Sequence, residues 1–245
     1  MHIPSRAVRA ARLLGVAALP LALAACGSAD ASSATAPASP SSVSAAKDPD
    51  AGLLTGAQLK KALAPASSFA AGFTLTPGGA RDTGDTFTSP SSAAAAAPDC
   101  AKLNGTGWIE VTGVSGVSFA QNDYVDKNTS EDVAQEIDAY RGTASADVLK
   151  GLARKAAACT GFTDSDTHSK VKVAGARTPG VGDAAYTVTL TDSAWENGAT
   201  LIAARVGTNV VSVMSTDGHD DGAATARKLV REVVASLKSL PQTSS

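Results

Sequence analysis

The chain has 245 residues, 21 basic and 23 acidic side chains, three cysteines and 4% aromatic content. With no surplus of Lys and Arg there is no basic patch to displace counterions, so nucleic-acid binding is excluded as the expected role. The length allows one domain of about 190 residues once the atypical N-terminal segment is set aside.

That segment comes first. Arg6, Arg9 and Arg12 precede an apolar run over residues 13–25, made of Leu, Ala, Val and Gly and broken only by Pro20. A positive start, a short apolar stretch and small residues before a boundary are the parts of an export signal. Thirteen residues fall short of the roughly 20 a membrane-spanning helix needs. The boundary, Leu23-Ala24-Ala25-Cys26, resembles the lipobox of bacterial lipoproteins, whose cysteine thiolate takes a diacylglyceryl group and becomes the new N-terminus. Two acyl chains give stable anchoring, at about 0.8 kcal/mol per buried methylene. Residues 1–25 are therefore expected to be a lipoprotein signal peptide, with Cys26 as the lipidation site. Their removal takes three arginines and leaves 18 basic against 23 acidic residues, a net charge of −5.

Residues 26–50 continue as Ser, Ala and Pro with almost no large apolar side chain. Such a segment cannot bury enough surface to offset its ordering entropy. It reads as a flexible tether with a typical span of about 27 Å. The domain is expected over residues 51–240, followed by a disordered tail, 241–245. With Cys26 acylated, Cys100 and Cys159 remain as an even pair outside the cytoplasm, where oxidation favours a disulfide. The alternative is a free catalytic Cys159 with His168 near it in sequence, but no motif places a residue to orient the histidine.

Thr55 and Gln58 have capping-box spacing and open a short helix to about Ala64, where Pro65 stops it. Phe69, Phe73 and Leu75 suggest a first strand. Residues 77–99 are rich in Gly, Ser, Thr and Ala and read as a long loop. Strands are expected over 108–111 and 115–121, around Gly113 and Gly116. Thr129 to Asp132 offers a second capping box, with Val133, Ile137 and Tyr140 along one helix face. Another helix follows over 145–158, with Leu149, Leu152, Ala156 and Cys159 on its apolar side and Lys150, Arg154 and Lys155 on the solvated one. Residues 184–191 alternate apolar and polar, the mark of a half-buried strand. Asn197-Gly198 and Gly207-Thr208 are turn signals, so residues 199–206 and 210–215 complete an antiparallel meander. Asp220 or Asp221 can cap a final helix to about Leu240, with a core stripe of Leu229, Val230, Val233, Val234 and Leu237. Helices segregated from an antiparallel sheet define an α+β fold.

The chemistry-bearing motifs are few. There is no nucleophile elbow, P-loop or His-Glu-x-x-His. Asp217-Gly-His-Asp-Asp221 and Asp164-Ser-Asp-Thr-His168 hold metal-ligand types, but acidic residues before a helix already complement its dipole. Trp195 beside the Asn197-Gly198 turn suits either ligand contact or cover of the sheet edge. No catalytic residue, metal ligand or cofactor is assigned, and no ligand-binding residue is named.

The order of Cys100, the strand around Phe119, the helix ending in Ala157-Ala158-Cys159, Gly180-Val-Gly-Asp-Ala184 and Arg205-Val-Gly-Thr-Asn-Val-Val211 resembles the PknH-type extracellular sensor domain. That domain is found on some actinobacterial transmembrane kinases and on stand-alone lipoproteins. The resemblance implies an antiparallel sheet with packed helices, a cleft and extracellular ligand binding. Its kinase-linked members usually carry two disulfides, whereas this chain can make one. The expected function is a non-catalytic, lipid-anchored binding or sensor-like lipoprotein on the extracytoplasmic face of the cell membrane. Its partners would be the membrane, through the lipid, and a small-molecule, lipid or glycan ligand. One alternative is a lipoprotein that docks on another envelope protein, marked by a broad apolar patch. Another is an envelope hydrolase, marked by a buried, pKa-shifted carboxylate or histidine in a cleft.

Overall fold

The computed structural model describes residues 48–89 and 99–241. Cys26, the signal-like run and the tether up to residue 47 lie outside the described residues, as do 90–98 and 242–245. The elements in chain order are α1 (Gly56–Lys60), β1 (Phe73–Leu75), β2 (Arg81–Asp82), α2 (Trp108–Thr112), β3 (Ser118–Asp126), β4 (Asp132–Ala139), α3 (Ala144–Ala158), β5 (Gly161–Thr163), β6 (Lys170–Arg177), β7 (Ala184–Thr191), β8 (Ala199–Val206), β9 (Asn209–Ser215) and α4 (Ala223–Ser239). Short 3-10 turns occupy Ala66–Ser68 and Cys100–Leu103.

The nine strands form one antiparallel sheet in the order β1-β3-β4-β9-β8-β7-β6-β5, with β2 also pairing with β3. The fold is α+β, as expected. The meander β7-β8-β9 forms where the alternating runs and turn signals put it. Because side chains alternate across a strand, the sheet has two apolar faces. On one, Val133, Ile137, Ile202, Val211 and Val213 meet α1 and the Leu229, Val230, Val233, Val234 and Leu237 stripe of α4. On the other, Val188, Leu190, Leu201 and Val210 meet Val148, Leu149, Leu152 and Ala156 of α3.

Two local contacts fix the layers. Thr55 caps α1 through the expected capping box with Gln58. Beyond α1, Gln135 of β4, fully buried, accepts from the Ala64 N–H and donates to the Ala64 carbonyl, both at 2.9 Å. At the other end, Gly222 caps α4 with φ of 77°. A Cβ there would lie 1.9 Å from the Ser215 carbonyl oxygen, so only glycine lets the helix start this close to β9. Asp220 still contributes, accepting from the Ala224 N–H at 2.8 Å.

Some expectations are corrected. Residues 108–111 form the helix α2, not a strand. Residues 132–139 form β4, not a helix; Val133 and Ile137 satisfy both a helical and a two-residue period, and pairing with β3 and β9 decides for the strand. Phe69 precedes β1, packed on Tyr124 with ring centroids 4.1 Å apart. The described part of the 77–99 loop contains β2, paired to β3 through Arg81 and Gln121. β5 and β6 carry no expectation from the sequence.

Cys100 and Cys159 are joined, with Cα atoms 5.6 Å apart. The bond ties the Cys100–Leu103 turn to the end of α3, and it removes a free thiol at Cys159. His168 lies in the β5–β6 turn at φ of 56°.

Candidate functional site

Two of the cavities on the described surface bear on function. One, of about 320 Å³, lies at the β8–β9 turn and is lined by Leu54, Asp183, Gly207, Asn209, Leu237 and Lys238 among others. Asp183 accepts from the Gly207 N–H at 2.8 Å, and Asn209 donates to the Val206 carbonyl at 3.3 Å. The second, of about 250 Å³, lies against β3 and β4 and is walled by Glu136, Asp138, Tyr140, Phe119, Val114 and Thr88 among others. It holds the titratable groups most perturbed by burial.

The alternation of β4 builds this wall. Val133, Gln135, Ile137 and Ala139 are buried toward the α1 and α4 side. Glu136 and Asp138 therefore share the opposite face, and Tyr140 continues it into the α3 layer. Across the sheet Glu136 stands opposite Gln121 and Ser212, and Asp138 opposite Phe119 and Val210. Asp123 and Asp132 fall on the same face by the same register. Gly116 closes the cavity, since a Cβ there would lie 3.2 Å from the Ala139 carbonyl and 3.3 Å from Asp138 Oδ1.

Asp138 is 9% exposed, and its Oδ2 accepts from no N–H or hydroxyl donor among the described residues. Its polar neighbour is the Glu136 carboxyl, which can bond it only when one of the two holds a proton. Burial raises the Asp138 pKa well above the usual carboxylate range, and the Glu136 charge raises it further. Burial likewise pushes Glu136 up to about 6; the Thr106 hydroxyl, donating at 2.5 Å, opposes that, Asp123 adds to it and Arg81 opposes it. Burial and mutual repulsion thus make the pair hold a shared proton more tightly than two free carboxyls would, with Asp138 shifted the further. Burial, then the Asp138 and Glu136 charges, raise the Tyr140 phenol. Asp123 and Asp132 are also raised by burial.

The residues singled out in the sequence lie elsewhere. Asp217 accepts from Thr225, Asp220 from the Ala224 N–H and Asp221 from the Gly198 N–H, so the acidic loop ties α4 to the β7–β8 turn. Asp164 accepts from the Asp166 and Thr167 N–H groups, which hold its pKa down, and so closes the β5–β6 turn. Among the described residues no group of three or more His, Cys, Asp or Glu side chains converges as a metal site. Lys150 and Arg154 are exposed on α3. Trp195 packs on the α3-side core, which favours cover of the sheet over ligand contact.

Glu136 and Asp138 were missed because residues 132–140 read as a helix. The signal was present: the polar residues Asp132, Glu136 and Asp138 keep a two-residue register with the apolar Val133, Ile137 and Ala139 on the other parity.

No model of a known protein family matches the chain, and no curated protein matches it.

Proposed function

We propose that the chain is a lipid-anchored, extracytoplasmic binding protein, held to the cell membrane by acylated Cys26, whose domain takes a small ligand in the cavity beside β4. The observation that carries the reading is Asp138, nine-tenths buried in the cavity wall with an oxygen that no protein donor meets. A buried carboxyl without a donor costs folding free energy, and a ligand that donates to it recovers the cost.

Docking on a protein has less support. Leu75 is the one large apolar side chain left exposed among the described residues, whereas a docking face needs a patch of several hundred Å². Hydrolysis is the second reading, favoured by the same buried pair in a cleft. Against it, the two carboxyls touch each other, whereas glycoside hydrolysis needs about 5 Å or more between them. The lining serines are committed as well: Ser118 donates to the Leu54 carbonyl at 2.6 Å and Ser115 to that of Gly116 at 3.4 Å, so neither has a base to activate it. We further propose kinship with the PknH-type sensor domains, on the order of motifs from Cys100 to Val211.

Two measurements test the reading. Cys26→Ala should release the protein from membranes; full retention of that variant contradicts the anchor. Thermal-shift screening of the full chain against envelope lipids, glycans and small metabolites should find ligands whose stabilisation disappears in Glu136→Gln/Asp138→Asn. A screen without any such ligand contradicts the cavity.

A further inference from the structure

We infer that the ligand of the β4 cavity presents a positively charged nitrogen, a primary ammonium on an alkyl chain, to Glu136 and Asp138. The inference rests on the reading of this cavity as the ligand site.

The hydrogen-bonding state of the wall supplies the argument. The Ser and Thr hydroxyls that line or border the cavity have their hydrogens committed to the protein. Thr88 donates to the Val117 carbonyl at 3.1 Å, Thr106 to Glu136 at 2.5 Å, Ser115 to Gly116 and Ser118 to Leu54. Ser118, opposite Ala139, turns its hydroxyl to the α1 side of the sheet; what the other hydroxyls and the ionised carboxyls offer to the cavity is acceptor capacity, including the Asp138 oxygen without a donor. A complementary group must therefore donate, and an ammonium has three donors and no acceptor.

Charge points the same way. Asp123, Asp132, Glu136 and Asp138 share this face of β3 and β4, and none of the four is in an ion pair among the described residues. Arg81 of β2, opposite Gln121, is the cation that acts on Glu136, and it is exposed. From the segment that carries α2, Lys102 and Glu110 pair with each other at 2.6 Å. The side chains of Phe119, Val114 and Tyr140 supply the apolar wall that a methylene chain would cover, and an aromatic face attracts a cation. A volume of about 250 Å³ is below the usual range for whole drug-sized ligands, about 300–1,000 Å³, so a head group enters and the rest of the ligand stays outside. Calcium is a poorer match, because it takes six to eight oxygen ligands and the described residues contain no such cluster.

An ammonium competes with the proton that the pair shares. Binding therefore strengthens as the pair ionises and is accompanied by proton release. Asp123, Arg81 and Tyr140, the titratable groups facing the pair, modulate that step.

The test is isothermal titration of the full chain in detergent with 1,5-diaminopentane, with Nα-acetyl-lysine methylamide, with 1,5-pentanediol and with calcium chloride. The account expects the two amines to bind at pH 7.5, at least tenfold more weakly at pH 5.0, and the diol and calcium not to bind. The tighter amine identifies the source, a free diamine or an amino group displayed on a polymer. Glu136→Gln/Asp138→Asn, isosteric and relieved of buried charge, should keep its melting temperature and lose amine binding at least tenfold. Diol or calcium binding equal to that of the amines, or unchanged amine binding in the double variant, overturns the inference. The two readings fail separately. A neutral ligand whose binding is lost in the double variant overturns the ammonium and keeps the site. Silence of the amines together with a screen in which no ligand depends on the pair overturns both.

Discussion

Glu136 and Asp138 stand two residues apart on β4 with their carboxyls in mutual hydrogen-bonding reach, each raised by burial and Asp138 the further. A buried like-charge pair of this kind makes the folded state bind protons more tightly than the unfolded chain. The Glu136 pKa of about 6 lies above its ordinary 4.5, so its stabilising contribution is complete below pH 4.5 and is lost as pH rises through 6. A shift of that size corresponds to about 2 kcal/mol. In chemical denaturation Glu136 should account for about 2 kcal/mol of the stability lost between pH 4.5 and 7.5; Asp138, also raised by burial, adds a fall of the same sign, and Glu136→Gln should make the whole fall shallower by the Glu136 part. Equal slopes for the two proteins contradict the assignment.

The disulfide makes a second case. Cys100 and Cys159 are 59 residues apart, and closing a loop of that size is worth about 4 kcal/mol in the chain-entropy model. Cys100→Ser/Cys159→Ser should lower the unfolding free energy by about 2–4 kcal/mol, measured in urea without reductant. No change on removing both sulfurs contradicts a structural role for the bond.

Gln135 carries no charge and still holds two layers together. Its side chain pairs with both polar groups of Ala64, so truncation leaves two main-chain groups buried without partners. Gln135→Ala should cost about 3 kcal/mol. Hydrogen exchange at the Ala64 amide should accelerate more than exchange in β8; uniform acceleration contradicts a local role.

Gly222 tests the start of α4. Alanine there meets both a left-handed backbone and the Ser215 carbonyl, and it should cost about 3 kcal/mol or more. Gly207 has a similar φ of 58° with nothing within 4 Å of an added Cβ. Gly207→Asn should therefore change stability by less than about 0.5 kcal/mol, since asparagine tolerates this conformation. Equal effects in thermal denaturation contradict the contact.

These residues also mark what is legible in the sequence. The Thr55 capping box, the β7-β8-β9 meander and the α4 stripe are local patterns, complete within one segment, and they form as read. β4 is not local. Val133 and Ile137 fit two periods, and only the partner strands choose between them. Thr129 imitates a capping box and instead donates to Glu131 at 2.9 Å in the β3–β4 turn. β6 shows one fully buried side chain, Val171, so its sequence has little alternation to read. The candidate site stayed hidden for the same reason as β4. Carboxyls on a strand look solvated until Thr106 and the chain over residues 114–116 close around them, and that cover is a tertiary fact.

The carboxyl pair itself is the most direct object of measurement. Carboxyl-selective carbon-13 NMR of the full chain, assigned with Glu136→Gln and Asp138→Asn, follows both groups through pH. The account predicts Glu136 titrating near 6, Asp138 well above the ordinary carboxylate range, and both moving to lower pH when 1,5-diaminopentane is added. Two carboxyls titrating independently near 4, indifferent to every ligand offered, would contradict it.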